Sequence, residues 1–326
     1  MDRTCQNQQD MRESVYNITW RVESATTKMN VSLIICTRDR SGPLSACLES
    51  VRRITFEQPW ELILVDNGSV DETANVIQEF IETVSVPAAY VFESVPGLGN
   101  AHNAGLRAAR GEILAFTDDD CYPAEDFLTQ IQVAFGDPSV GYITGRIMLH
   151  DPTDYPIGIN ESLSPHMLPG GSFLRVGSFH GANMAFRRQV LLDIGGFDPL
   201  FGPGSLFNTE DIDAAARASA IGWSGQYGPD VVVRHHHGRK ESDIAPVIKS
   251  YAIGRGAYHM KLLLNQRRFW WFARSVYELR NRRKWHPRAI LWETVGSTEY
   301  AYLYFSRALR ARLTRKHALR PPLPLA

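Results

Sequence analysis

A mostly parallel α/β sheet flanked by helices, running on into a helical basic tail, is the architecture this sequence predicts. Strand-like apolar runs alternate with helix-period segments from Val31 to Phe116, the turns that follow the strands are polar or acidic, and the alternation stops in a region rich in Arg and Trp. Alternation of this kind builds parallel strands, because a parallel connection must cross back over the sheet and a helix does so. With 326 residues, 44% of them hydrophobic and 21% charged, the chain can bury a sizeable core and is neither disordered nor collagen-like.

Residues 1–29 are polar, rich in Gln, Asn and Thr, and read as a loose arm. Val31-Ser-Leu-Ile-Ile-Cys36 is the first strand, Thr37-Arg38-Asp39-Arg40 its exit, and Leu44, Cys47, Leu48, Val51 and Ile54 fall at helical spacing. Glu61–Val65 is the second strand, Asp66-Asn-Gly-Ser69 a turn, and Asp71–Thr83 a helix. Ala89–Phe92 is the third strand, Pro96–Gly99 a glycine loop too degenerate for a dinucleotide fingerprint, and Ala101–Ala109 a helix stopped at Arg110-Gly111. The fourth strand, Ile113–Phe116, runs into Thr117-Asp118-Asp119-Asp120, with a helix expected over 123–135. Beyond residue 140, Gly/Pro-rich loops separate short strands at 141–148 and 231–234, which predicts a mixed extension of the sheet.

The net charge of zero hides two opposite parts. Arg255 to Arg320 carries 16 of the 35 Lys+Arg and only Glu278, Glu293 and Glu299, a net +13 that the remainder balances at −13. Trp270, Trp271, Trp285 and Trp292 are interleaved with that Arg, a composition suited to peripheral contact with anionic lipid headgroups. A solvated helical pair, or a homodimer contact with the acidic part, are the alternatives. A nucleic-acid partner is disfavoured because the acidic part repels phosphate. No run of about 18 apolar residues offers a membrane span, and the N-terminus lacks the apolar stretch of a secretory signal. The expectation is a cytoplasmic protein, at most peripheral on the cytoplasmic face of the inner membrane. Cys5, Cys36, Cys47 and Cys121 show no CxxC spacing and read as reduced thiols.

Ligands of open α/β sheets bind at the carboxyl ends of strands, and the chemically loaded turns lie there. Three adjacent carboxylates, Asp118 to Asp120, repel one another unless a cation or hydrogen bonds hold them. As hard oxygen donors they point to magnesium or manganese and thence to substrate phosphates; the competing reading is an acidic cap on the next helix. Asp66 can accept hydrogen bonds from a base or ribose, or simply close an Asx-turn. Glu210, Asp211 and Asp213 open an Ala-rich helix behind a flexible Phe201-Gly-Pro-Gly-Ser loop, so they serve either as dipole caps or as a source of a general base. In His235-His236-His237, strand alternation puts the outer two on one face, where a neutral imidazole can join a metal site. A solvated cluster at a sheet edge is the alternative.

In order along the chain, Val31–Arg40, Val65-Asp-Asn-Gly-Ser-Val-Asp-Glu-Thr73, Ala101–Gly111 with Phe116-Thr-Asp-Asp-Asp120, Gly195-Gly-Phe-Asp198 and Thr209-Glu-Asp211 resemble the family 2 glycosyltransferases of the GT-A fold. The resemblance covers roughly Val31 to Gly238 and implies a GT-A type, Rossmann-like mixed sheet over 30–240, with a donor half at about 30–140 and an acceptor half at about 141–240, followed by the helical basic region 241–326. It implies a UDP-, GDP- or dTDP-linked sugar donor, with Thr37 and Arg38 near the nucleotide, Asp66 at the base and Asp119 near ribose or sugar. Asp118 and Asp120 resemble the Asp-X-Asp pair, Asp120 ligating a Mn or Mg ion, with His235 the late metal-associated histidine and His237 the fallback. Asp211 resembles the catalytic base and, with Glu210, faces the acceptor; Gly196, Phe197 and Asp198 resemble the acceptor-side wall. The acceptor so implied is a glycan or lipid-linked hydroxyl in polysaccharide, glycolipid or other cell-surface glycan synthesis. His102 stands where the family often has Arg, so an imidazole charged only part of the time near neutral pH would face any diphosphate there. Related Gly-Arg-Gly segments lie near the active site, so Arg255 either touches phosphate or starts a solvated helix. A sugar nucleotidyltransferase, or a non-catalytic carbohydrate-binding protein on the same fold, are the competing functions.

Overall fold

The computed structural model describes residues 16–21, 28–264, 268–282 and 287–318, and divides after Ala245 into two compact units. In chain order the first holds β1 (Tyr16–Arg21), β2 (Val31–Thr37), α1 (Ser41–Val51), β3 (Trp60–Asp66), α2 (Thr73–Thr83), β4 (Ala88–Glu93), α3 (Leu98–Ala108), β5 (Ile113–Asp118), β6 (Cys121–Pro123) and α4 (Phe127–Ala134). β7 (Val140–Leu149), β8 (His166–Leu168), β9 (Asn183–Arg187), α5 (Arg188–Asp193), α6 (Glu210–Ala220) and β10 (Ser224–His235) follow.

The described strands form one sheet, in the order β1-β4-β3-β2-β5-β9-β7-β10-β6 with β8 on β10. β4, β3, β2 and β5 are mutually parallel, β9 runs antiparallel between β5 and β7, and β7 and β10 are parallel. β2 and β3 are buried at every position, which is why they read as continuous apolar runs rather than alternating ones. Their polar exceptions lie near the amino ends: Ser32 Oγ donates to Glu61 Oε1 at 2.7 Å, and Arg110 Nε meets Glu61 Oε2 at 2.6 Å. Glu61 is fully buried, so Arg110→Met is expected to cost about 3 kcal/mol, the low end for a broken buried pair because Arg110 is itself partly exposed; urea unfolding measures it.

The structure revises four expectations. Tyr16–Arg21, inside the stretch read as a loose arm, is an edge strand antiparallel to β4; Tyr16, Ile18 and Trp20 carry the two-residue period of a strand. Helix α4 begins at Phe127, after the short strand β6, so Asp118–Asp120 does not cap it. Helix α3 begins at Leu98, inside the expected glycine loop. β10 spans Ser224–His235 rather than residues 231–234. Cys36, Cys47 and Cys121 are buried free thiols, while Cys5 lies outside the described residues.

The second unit contains α7 (Ile244–Leu264) from Pro246 onward, α8 (Phe269–Arg282) and α9 (Pro287–Ala318). Helices α7 and α9 touch at Gly256 and Gly296, where a Cβ on either would collide with the facing backbone of Glu293 or Ile253. Ser297 Oγ donates to Gly256 O at 2.9 Å across the same contact. Arg255, read from the sequence as a phosphate contact or a solvated helix start, instead pairs through Nε with buried Glu293 Oε1 at 2.8 Å. No described helix is long and apolar enough to cross a membrane.

Candidate functional site

The site starts from three neighbouring strand ends. β5 closes at Asp118, β2 at Thr37 and β3 at Asp66, and the ladder places Cys36 opposite Asp118 and Thr37 opposite Asp66. Thr37 Oγ1 donates to Asp119 Oδ2 at 2.7 Å. Arg40 turns back over the strand ends, its Nε 2.8 Å from Asp119 Oδ1 and a terminal nitrogen 2.6 Å from Asp120 Oδ2. That return depends on Asp39, whose φ of 52° is left-handed. The turn at Asp39 is tied to the next strand's loop by Asp39 N to Ser69 Oγ (3.0 Å) and Val70 N to Asp39 Oδ1 (2.7 Å). Arg38 stays exposed, 3.6 Å from Asp39.

β10 delivers the histidine. Its antiparallel pairing with β6 sets His235 opposite Cys121, one residue past the aspartates, and His235 Nε2 lies 3.1 Å from Asp120 Oδ1. Ligand atoms of Asp118, Asp120, Cys121 and His235 all fall within 4.8 Å of one another. Burial, reinforced by the Asp120 charge, pushes Asp118 up to about 7. Burial also lifts Asp119 to about 6, against the pull of Arg40 and Thr37. Burial acts upward on Asp120 as well, but the His235 hydrogen bond and the His235 and Arg40 charges hold it below the usual carboxylate range. His235 is raised in turn: burial disfavours its cation, and Asp120 outweighs that.

Two carboxylates and an imidazole converging on a few ångströms are a donor set for Mn2+ or Mg2+. The donor set itself carries the fit: ligand atoms of Asp118, Asp120 and His235 lie within 4.8 Å of one another, with His235 Nε2 facing Asp120 Oδ1 at 3.1 Å. Cys121 is a soft sulfur donor, less suited to Mn2+ or Mg2+ than the carboxylates, and burial with the adjacent carboxylates pushes its thiol well above the ordinary value.

Asp66 is engaged on both oxygens, accepting from Ser69 N at 2.8 Å and from Tyr90 OH at 3.0 Å. Asp66 thus ties down its own turn through Ser69, three residues on, and Tyr90 adds a partner the sequence did not show.

Further along the chain, α6 opens at Glu210 and Asp211. The residue before it, Thr209, has φ 89°, a strained conformation for a β-branched side chain and one that fixes how the two acids enter the helix. Asp211 Oδ2 accepts Gly181 N at 2.8 Å and Oδ1 accepts Ile212 N at 2.7 Å. Burial lifts Asp211 to about 6 despite those two donors. Glu210 is pushed well above its ordinary value by burial and by Asp211. Asp211 also contributes to the rise at Asp118, so the two acidic centres feel each other.

Several predicted residues are placed differently. The Phe197 ring is 1% exposed and packs on His102, Phe116 and Phe186, so the ring belongs to the core and does not form a wall. Gly196 takes φ 76° beside Asn103, and Asn103 clamps the segment, giving Nδ2 to Phe197 O and accepting Phe197 N, both at 2.8 Å. Asp198 Oδ1 accepts Leu200 N at 3.0 Å. His102 is a core residue: burial lowers it to about 3, so it is neutral at physiological pH rather than intermittently charged. His237 shares a face with His235, rings 5.1 Å apart, but its Nδ1 accepts Arg239 N at 3.0 Å and lies 3.8 Å from Asp154. His236 bonds Tyr122 OH through Nδ1 at 3.0 Å.

The structure thus gathers Thr37, Asp118, Asp119, Asp120 and His235 into one cluster. The residues that sequence reasoning missed are Arg40, Asn103, Tyr90 and Gly181. Arg40 left a trace as a second basic residue in the exit of the first strand, and Asn103 as the neighbour of His102 in the Ala101–Gly111 motif.

Three comparisons bear on the site. The profile of Glycosyl transferase family 2 matches residues 32–195, half of the chain. Glycosyltransferase AglE of Haloferax volcanii is 24% identical over 234 residues, 72% of this chain and 74% of that one. Pre-mycofactocin glycosyltransferase of Mycobacterium tuberculosis is 25% identical over 226 residues, 67% of this chain but 45% of its own length. Among solved structures, mannosyltransferase PcManGT from Pyrobaculum calidifontis, in complex with GDP-Man and Mn2+, is similar with TM-score 0.60 and 22% identity, covering 98% of this chain and 87% of that one. S. aureus TarS in complex with UDP-GlcNAc follows at TM-score 0.56 and 17% identity, covering 72% and 67%. Those identities speak for a shared fold, and the profile covers the strands that carry Thr37, Asp66 and the aspartate triplet; the chain belongs to glycosyl transferase family 2.

Proposed function

We propose that the protein transfers a sugar from a nucleotide-diphosphate donor to an acceptor hydroxyl with inversion at the anomeric carbon, in the synthesis of a cell-surface glycan. The observation that carries this reading is the convergence of Asp118, Asp120 and His235 at the strand ends, electrostatically linked to a separate carboxylate, Asp211, poised near 6. Solved relatives of the fold hold GDP-Man with Mn2+ and UDP-GlcNAc, which supports a nucleotide-sugar donor here.

Asp118, Asp120 and His235 would hold the metal. A bound Mn2+ or Mg2+ supplies positive charge against the negative charge that builds on the departing diphosphate. Arg40 and Thr37 fix Asp119 and Asp120, so the carboxylates need not reorganise during reaction. Arg38 and Asp66 border the nucleotide side. Asp211 accepts the proton of the acceptor hydroxyl as that oxygen attacks from the face opposite the leaving group, and a single displacement inverts configuration. With a pKa of about 6, Asp211 is mostly ionised at neutral pH. Transfer is therefore expected to fall as pH drops through about 6, the direction in which Asp211 gains its proton.

Metal binding carries its own pH signature. Asp118 is pushed up to about 7 and His235 is raised beside Asp120, yet metal ligands must give up their protons to bind. Binding of Mn2+ at neutral pH is expected to release protons and to weaken toward acid pH. Calorimetry in buffers of different ionisation enthalpy reads the proton count, and a count of zero contradicts metal binding at Asp118 and His235.

Incubation with a panel of UDP-, GDP- and dTDP-sugars, followed by nucleoside diphosphate release and NMR of the product's anomeric proton, tests the function. Inverted product is expected; retained configuration contradicts the mechanism. The nucleotidyltransferase alternative is not favoured, since a triphosphate calls for a glycine-rich loop after the first strand. Here that position holds Arg38-Asp39-Arg40, with Arg40 folded onto Asp119 and Asp120.

A further inference from the structure

Helix α9 has two opposite faces, and among the described residues one of them packs on α7. Glu293, Gly296 and Tyr300 repeat at helical spacing along one side; Glu293 and Tyr300 are at most 4% exposed, and Glu293 and Gly296 meet α7. Turned away from them, Leu291, Thr294, Thr298, Tyr302, Phe305 and Leu309 recur every three or four residues, and all six are exposed. Leu291 is 60% exposed, Tyr302 72%, Phe305 59% and Leu309 59%. From Leu291 to Leu309 the stripe runs five helical turns, about 27 Å. Helix α8 repeats the arrangement: Trp270 (80% exposed), Arg274 and Tyr277 (65%) share one face, while Trp271 and Ser275 on the other are buried.

A row of exposed aromatic and aliphatic side chains of this length is rare on a protein surface that meets only water. Its chemistry narrows the occupant. Arg288 and Arg310 are exposed beside the stripe, and residues 255–320 carry a net +13. A second copy pairing through the same stripe would bring two such charges together in an isologous contact, and pairing it with the acidic remainder would be head-to-tail and need not close. An anionic bilayer meets both requirements at once: aromatic rings settle at the headgroup level while arginines reach lipid phosphates.

We propose that the outer face of α9, with Trp270 and Tyr277 of α8, lies in the interfacial layer of an anionic membrane. The helix rests on the surface without spanning it, since its opposite face is already buried on α7. The surface involves none of the residues of the strand-end site.

Flotation of the full chain with liposomes tests this. The wild type floats with vesicles containing phosphatidylglycerol, not with phosphatidylcholine alone, and less so at high salt. The Tyr302→Asp/Phe305→Asp variant floats about tenfold less, as does Arg288→Glu/Arg310→Glu, both with unchanged circular dichroism and thermal midpoint. Failure of the wild type to float with phosphatidylglycerol, or equal flotation of folded variants of both kinds, overturns the proposal. So does a wild-type dimer in analytical ultracentrifugation that the Tyr302/Phe305 variant splits, since the stripe then belongs to a second copy. Nucleotide binding, measured alongside, separates this outcome from failure of the transferase reading.

Discussion

Asp120→Ala is expected to abolish metal-dependent nucleotide binding and to lower transfer by about a thousandfold or more, the scale of losing a preorganised charge-stabilising centre. Asp120 is the shared partner of His235 and Arg40, at 3.1 and 2.6 Å. Removing it takes away a metal ligand and releases both cationic partners: His235 loses what holds its pKa up, and Arg40 keeps only Asp119. The same loss leaves polar groups unpaired at a buried strand end, costing about 1–3 kcal/mol of stability. Thermal unfolding of the variant, run beside the binding titration, distinguishes an empty site from an unfolded one. A variant that keeps its fold and still binds nucleotide only in the presence of Mn2+ would move the metal away from the aspartate triplet.

Asp211→Asn is expected to lower kcat by about 10²–10⁴ while leaving donor and metal affinity near wild type. The separation follows from geometry, since Asp211 is held by Gly181 and Ile212 backbone donors and not by the residues around Asp120. Both of its oxygens accept N–H, so an amide must turn its own N–H toward one donor; a loss of about 1 kcal/mol is expected with it. Asp211→Ala, lacking that clash, serves as the second variant. If both folded variants turn over normally, Asp211 is a helix-entry acid and not the base.

Much of this arrangement was readable in the sequence, and the reason is physical. β2, β3 and β5 are central strands covered on both faces, so their apolar runs end abruptly at the polar residues of the site. Asp118–Asp120 and His235 were visible because charge at the end of such a run has little purpose in a core. What escaped depends on contacts distant in sequence. Arg40 reaches Asp119 and Asp120 only because Asp39 adopts a left-handed turn, and Asn103 clamps a segment 94 residues away. His102 and Phe197 looked like site residues through their motifs, but they stack on each other, ring centroids 4.7 Å apart, beneath the surface. β9 is flanked by Gly-rich loops and gains its strand character from β5 and β7 on either side, a tertiary effect that local pattern does not carry.

Titration calorimetry of the intact protein with UDP, GDP, CDP and dTDP, each with Mn2+ and with EDTA, tests the central claim most directly. The account predicts that one of these nucleotides binds in the presence of the metal and that EDTA abolishes that binding. Absence of binding by all four in Mn2+, from a folded protein, would contradict it and leave Asp118, Asp120 and His235 as a structural network at the strand ends.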